Sequence, residues 1–235
     1  MASLHLILKT NLMEALKRRF EESWKMPDRL IINRILSGEK ELFEILLRRN
    51  NQTLYRAVRS YLNDADDIRD TMQDAYLKAY EKLEQFRGDA AFSTWLVRIG
   101  INEALLRIRK QKRNSVLSIS TTKATQAHIS QISDPNQMNP EKQTIHQETR
   151  HLIENAIDQL PEKYKVIYIL KEVEGMDNRD IAACLALSDS NVKVRLHRAK
   201  NLLKETLLSL SGNTPVFEFG NEHCDRIVDF VMKHI

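Results

Sequence analysis

The sequence predicts an all-α protein built as two helical domains joined by a flexible linker. Three observations carry that expectation. Glycine and proline are scarce, at 6 and 5 among 235 residues. Apolar side chains recur at helical spacing over two long stretches. Between those stretches, residues 114–143 are rich in Ser, Thr, Gln and Asn, include Pro135 and Pro140, and hold no aromatic residue. Such a segment cannot bury enough apolar surface to offset the entropy of ordering it. A sandwich, a barrel or an alternating α/β fold would need strand periodicity and many more turn residues.

The elements follow in order. Residues 1–26 form an N-terminal extension, a basic amphipathic stretch that includes Leu12, Leu16, Arg18, Arg19 and Phe20. The first domain spans 27–113. In it, Leu30, Ile31, Ile35 and Leu36 precede a Ser37-Gly38 break. Leu42, Phe43, Leu46 and Leu47 resume the helical pattern, and the run from Leu54 to Leu62 continues that helix or starts another. Asn63 to Asp67 is a helix start, because acidic side chains accept from the free first-turn amides and suit the positive end of the helix dipole. A helix from there to about Phe86 is expected to bury Met72, Tyr76, Ala79, Leu83 and Phe86. A loop with Gly88 and a helix over about 93–110 complete the domain. The linker covers 114–143. The second domain, 144–210, should hold helices at about 144–159, 162–174, 178–186 and 189–209. Residues 211–235 form a C-terminal extension with one amphipathic helix.

Composition narrows the class. Hydrophobic residues make up 42% and charged ones 29%, the balance of a soluble globular protein. Cys184 and Cys224 form no CxxC pair, which fits reduced thiols better than a disulfide framework. His223, Cys224 and His234 are poorly spaced for a metal, so neither metal nor cofactor is expected. No apolar run approaches a membrane span, and Leu4 to Leu8 is too short for a signal-peptide core. A cytoplasmic protein without membrane insertion is expected. Paired carboxylates, a Ser/His/Asp set and a phosphate-cradling glycine loop are missing at credible spacing, so an enzyme is not expected.

The sharpest local pattern is a helix-turn-helix at 178–200. Asn178 can cap a helix that turns Ile181, Ala182 and Leu185 inward, and Ala186-Leu187-Ser188 makes a tight turn with Ser188 as the next cap. If Ala186 is left-handed there, it costs on the order of 1 kcal/mol. The second helix aligns Val192, Leu196, Ala199 and Leu203 on one stripe. Its other side offers Asn191, Arg195 and Arg198, flanked by Ser190, Lys193, His197 and Lys200. Polar groups near a helix start can bond base edges in the major groove, with cations beside them for phosphates. An ordinary solvated basic face remains the alternative.

The first domain carries three further surfaces. Asp70, Gln73, Asp74, Leu77 and Glu81 share one face, acidic and amide-bearing with one apolar residue, suited to a basic partner helix or simply to solvent. The segment 86–96 joins aromatic residues, hydroxyls and a cation around Gly88. Arg87, Gly88, Asp89, Phe92, Ser93, Thr94 and Trp95 could wall a pocket for an unstacked base. Phe92 and Trp95 suit a core role equally, and for Trp95 the core role is favoured. Arg98, Asn102, Leu106 and Arg109 share one face. From 98 to 113 six cations (Arg98, Arg107, Arg109, Lys110, Lys112, Arg113) face Glu103 alone, while the whole chain carries only +4. Such concentration favours nucleic acid.

With these residues laid out, the chain resembles the extracytoplasmic-function group of bacterial RNA polymerase sigma factors over about 27–113 and 141–209. Asp67 to Tyr76 resembles the segment that clamps the polymerase coiled coil, although Arg69 stands where the family has an acid. Phe86-Arg87-Gly88, Phe92 to Leu96 and Asn102-Glu103-Ala104 resemble the segment that melts and reads the minus-ten element. Leu160-Pro161, Asp180-Ile181-Ala182 and Val192 to Ala199 resemble the domain that reads the minus-thirty-five element. The resemblance implies a region 2-like bundle and a region 4-like helix-turn-helix domain, with core RNA polymerase and promoter DNA as partners. It places Asp70, Gln73 and Asp74 at polymerase, with Leu77 among them. The loop from Arg87 to Phe92 receives a flipped base, and Asn102 lies at that element's upstream edge beside Arg98, Arg109, Lys110 and Arg113. Ser190, Asn191, Lys193, Arg195 and Arg198 lie on the upstream element. It leaves open whether an anti-sigma factor holds the protein inactive. A linker of about 30 residues reaches at most roughly 100 Å, enough to serve two separated elements. The other functional classes are a polymerase-independent helix-turn-helix regulator and a helical sequestering or adaptor protein.

Overall fold

The computed structural model describes residues 23–117, 140–210 and 232, and every regular element among them is helical. The helices are α1 (Asp28–Leu36), α2 (Phe43–Arg59), α3 (Ala65–Glu81), α4 (Phe92–Leu117), α5 (Pro140–Asp158), α6 (Glu162–Tyr168), α7 (Asn178–Leu185) and α8 (Asp189–Leu210). Short 3-10 turns occupy Lys40–Leu42 and Leu83–Gln85, and α6 runs on through a wider helical turn, Ile169–Val173. The expectations for 1–22, most of the linker and nearly all of the C-terminal extension, Cys224 included, lie outside the described residues.

The punctuation follows local chemistry. Pro27, in extended backbone, precedes α1, and Ser37 closes it where the Ser37-Gly38 break was expected. The 43–62 region resolves into one unbroken helix to Arg59. At the start of α3 the backbone N–H groups of Asp66 and Asp67 donate to Asp64 Oδ1 at 3.0 and 2.9 Å. That cap satisfies two orphan donors, and its loss costs about 1 kcal/mol.

The described residues divide into two compact units. The first joins those before Gln137 with Leu160–Lys200; the second comprises those of Met138–Gln159 and Asn201–Ile235. In the second unit Ala156 and Leu203 are buried, and Arg150 pairs with Glu154 at 2.9 Å.

The first unit contains two hydrophobic cores. In one, Ile31, Ile45, Leu46, Leu54, Val58, Ile68, Leu83 and Leu96 draw α1 to α4 together. The buried line of α3 runs through Ile68, Thr71, Ala75 and Ala79, with the expected Met72 and Tyr76 at its margins. Small side chains take the centre because they let the helices approach, and the long ones flank them. Gly100 serves the same end: a Cβ there would run into Leu54 Cδ1 and lie 3.4 Å from Val58 Cγ2. The second core was not expected from the sequence. Ala57 of α2 and Val97 and Ile101 of α4 pack with Val166, Ile167, Leu170, Ile181, Cys184 and Val192.

Candidate nucleic-acid interface

The helix-turn-helix forms with one shift from expectation. Asp177, not Asn178, occupies the cap position of α7, without a side-chain cap bond. Asp177 keeps an extended backbone while Asn178 is already helical, so the Asn178 amide is carried inward, where its Oδ1 is buried without a partner. Ala186 ends α7 in the left-handed region, at φ 52° and ψ 46°. The Leu187 N–H donates to Ala182 O at 2.9 Å, which closes the turn. Replacing Ala186 by glycine removes the steric penalty of that conformation but adds unfolded-state freedom. The expected net gain is about 0.5 kcal/mol, or roughly 1–2 °C in Tm, measured by thermal denaturation. Ala186→Val is expected to move the midpoint the other way.

Ser188 caps α8, its Oγ accepting from the Asn191 N–H at 3.3 Å. Val192 and Ala199 are wholly buried, so α8 is seated on its apolar stripe. Ser190, Lys193 and Arg198 are exposed; Asn191 and Arg195 are half-buried. Lys193 pairs with Asp189 at 2.8 Å. Sequence reasoning missed Tyr164 and Lys163, on the first turn of α6. The nearby Arg198 guanidinium holds the Tyr164 phenol below its ordinary range; burial opposes this and the Lys163 cation adds to it. Lys163 Nζ also lies 4.9 Å from the Tyr164 ring centroid. Tyr164 thus lies beside the Arg198 cation, and the only trace of this in the sequence is an aromatic residue between two lysines.

On α4 and the loop before it, Phe86, Phe92 and Trp95 form a ring cluster with centroids 5.5 to 5.7 Å apart. Phe92 and Thr94 are buried, at 3% and 6% exposure, while Ser93 and Trp95 are half-buried. Arg87, Gly88 and Asp89 are exposed, and Gly88 adopts φ 76°, a conformation side-chain-bearing residues rarely take. Arg98, Asn102, Arg109, Lys110 and Arg113 are exposed along the helix. Arg107 is committed elsewhere: its Nε donates to Asp67 Oδ1 at 2.7 Å and its guanidinium also reaches Asp70 Oδ2 at 2.8 Å. Burial alone would lower the Arg107 pKa, but the bonds to Asp70 and Asp67 prevail and raise it. Gln111 Nε2 adds a bond to Asp67 at 2.6 Å, and Lys78 binds Glu103 at 2.5 Å. These ties fix the rotation of α3 against α4. On the outer side of α3, Asp70, Gln73, Asp74 and Leu77 are exposed together, Leu77 at 64%.

A helical bundle with a seated helix-turn-helix and separate basic and acidic faces defines a DNA-binding regulatory class. Residues 46–114 match the family model of sigma-70 region 2, and residues 150–203 match that of sigma-70 region 4. The RNA polymerase sigma-H factor of Pseudomonas aeruginosa is 29% identical over 183 residues, covering 78% of this chain and 95% of that protein. The ECF RNA polymerase sigma-E factor of Escherichia coli K12 is 29% identical over 181 residues, covering 77% and 94%. Among solved structures, CnrH in complex with the cytosolic domain of CnrY has a TM-score of 0.52 at 25% identity, covering 77% and 96%. The sigma factor RpoE in complex with the anti-sigma factor NepR, from Bartonella quintana, has a TM-score of 0.57 at 22% identity, covering 70% and 96%. The chain belongs to the sigma-70 family of RNA polymerase sigma factors, in its extracytoplasmic-function group. No helix among the described residues is long and apolar enough to cross a membrane.

Proposed function

We propose that this sigma factor docks core RNA polymerase through α3 and positions two DNA-reading faces on a promoter, acting in the bacterial cytoplasm by binding alone. Asp70, Gln73, Asp74 and Leu77 form the polymerase face. Asn191 and Arg195 of α8 read base edges of the minus-thirty-five element, while Ser190, Lys193 and Arg198 hold its backbone. Arg87, Gly88 and Asp89 frame the entrance to a base pocket at the minus-ten element, with Ser93 and Trp95 at its rim. Phe92 and Thr94 support that rim from inside. Arg98, Asn102, Arg109, Lys110 and Arg113 follow the strand along α4. The observation that carries this reading is the geometry of α8: its buried Val192–Ala199 stripe turns Asn191, Arg195 and Arg198 away from the helix-turn-helix core. Two structural relatives are bound to anti-sigma or partner cytosolic domains, which supports a protein inhibitor of that class here.

Run-off transcription with purified core polymerase on a library of genomic fragments tests the whole reading. Start-site selection at a shared sequence is expected, and its absence would sink the proposal. The same assay separates reading from gripping. Asn191→Ala or Arg195→Ala should relax upstream sequence choice by about 1–3 kcal/mol, roughly 5- to 150-fold, at one or two positions. Lys110→Ala should weaken all promoters alike and flatten the salt dependence. Identical behaviour of the two kinds of variant would refute the division of roles.

A further inference from the structure

From Asp189 to Lys200 the outward face of α8 is polar except at its centre. Val192 and Ala199 are wholly buried and mark the side of the helix turned to the core. An α-helix turns about 100° per residue, so Val194 stands within roughly 40° of the point opposite to both. It is 51% exposed. Asn191 and Arg198, three residues before and four after, flank it on one side, and Ser190 and His197 flank it on the other. Two side chains on that second flank are engaged toward the start of the helix. Ser190 Oγ lies 3.1 Å from Ser188 Oγ, and Lys193 pairs with Asp189 at 2.8 Å. The middle of the face is left to a short apolar side chain. Its branched Cβ strongly prefers one helical rotamer, so fixing it against a partner costs little entropy.

We infer that Val194 is a specificity-determining residue that packs on the C5 methyl of a thymine in the upstream element. The inference deepens the reading of α8 as the helix that enters that element, and it rests on that reading. The residue opposite the core goes deepest into the groove, and the N-terminal turns of such a helix are the ones that meet base edges. Val194 lies in the second turn of α8. In the major groove guanine presents two acceptors, cytosine an amino donor, adenine one of each, and thymine an acceptor with a methyl group. Valine neither donates nor accepts. Against a purely polar edge it strips water from hydrogen-bonding groups and returns no bond. Against the methyl, apolar surface is buried on both partners. Asn191 can then bond a neighbouring base while Val194 sets the requirement at its own position, and that requirement is for a methyl group rather than for a base pair.

The test uses the full chain with core polymerase on a promoter recovered by run-off transcription. Each thymine of the upstream element, on either strand, is replaced in turn by uracil, which pairs as thymine does but lacks the methyl. The rate of promoter-complex formation should fall about fourfold at one position, the effect of one buried methyl. Val194→Ala should be slower than the parent on the unmodified promoter by a similar factor and indifferent to uracil at that position. Its melting curve should match the parent's, because the side chain removed is exposed. A parent protein that ignores every uracil overturns the inference. So does a Val194→Ala variant that responds to uracil as the parent does, since the effect then belongs to the stiffness of the DNA itself. An upstream element that contains no thymine overturns it as well. Promoter-specific run-off with indifference to uracil removes the role of Val194 alone, whereas absent promoter-specific run-off removes the sigma reading beneath it.

Discussion

Gly100→Val is expected to lower the unfolding midpoint by roughly 5–10 °C. The reason is the closeness of α4 and α2. A Cβ at Gly100 runs into Leu54 Cδ1 and lies 3.7 Å from Leu54 Cγ, and both Leu54 and Val58 are wholly buried. Leu54 Cδ1 is the end of a flexible side chain, but it is wholly buried in an interior packed at crystal-like density, so it moves only by displacing its neighbours. Overpacking of this kind costs about 1–3 kcal/mol. Helix propensity works the other way, since removing a mid-helix glycine gains at most about 1 kcal/mol, and less for a β-branched residue. Packing wins. Leu54→Ala by itself costs about 2–5 kcal/mol through the cavity it leaves, but in the Gly100→Val background the new methyls fill part of that space. The double variant should be more stable than the sum of the singles, read from denaturant midpoints in a double-mutant cycle. Strict additivity would mean that the two helices do not meet at Gly100.

The same glycine shows what the sequence could and could not disclose. Punctuation was legible because it is local: Ser37-Gly38 ends α1, Asp64 caps α3, and Ser188 caps α8. The helix-turn-helix was legible because its stripe at Val192, Leu196 and Ala199 is periodic. Where a cap depended on a single dihedral angle, the expectation slipped by one residue, from Asp177 to Asn178. Gly100 reads as an ordinary weak point in a helix until Leu54, far away in sequence, is seen against it. The end of α4 was also hidden, because a polar, charged helix end at 111–117 and the start of a polar linker have the same composition.

The site divides along the same line. Exposed residue types at helical spacing disclosed the α3 and α8 faces, since spacing alone sets which residues share a side. Three features needed the fold. Arg107 looks like one more cation in a basic run, yet it is bonded to Asp67 and Asp70. Phe92 suits pocket and core equally by residue type, and it is buried together with Thr94. Ala57, Val97 and Ile101 lie in first-domain helices, yet they pack with residues of the helix-turn-helix domain. For Arg107 and for the second core the deciding partner is distant along the chain, and residue type gives no hint of it.

Leu77→Asp is expected to weaken binding to core polymerase by about 2–3 kcal/mol, roughly 30- to 150-fold, while leaving the melting curve of the free protein unchanged. Leu77 is 64% exposed on α3, so it contributes little to the fold and its replacement leaves no cavity. Apolar residues ringed by polar ones carry most of the energy of a docking surface, because their burial excludes water from the polar contacts around them. Asp74 and Gln73 supply those contacts. Asp70→Ala is a poorer probe, because it also removes one arm of the Arg107 fork and leaves that α4 guanidinium held by Asp67 alone. Its effect on polymerase and its effect on DNA would be mixed. Arg69 offers the opposite test. It pairs with exposed Asp66 at 2.5 Å, and it adds a cation to an otherwise acidic side of α3. Against a basic partner helix, Arg69→Glu should tighten binding by a few tenths to 1 kcal/mol, chiefly in the association rate and at low salt. Fluorescence anisotropy of labelled sigma factor titrated with core enzyme measures both changes. If Leu77→Asp binds core enzyme as tightly as the parent and Arg69→Glu does not bind faster, α3 is not the docking helix and its acidic side is only a solvated face.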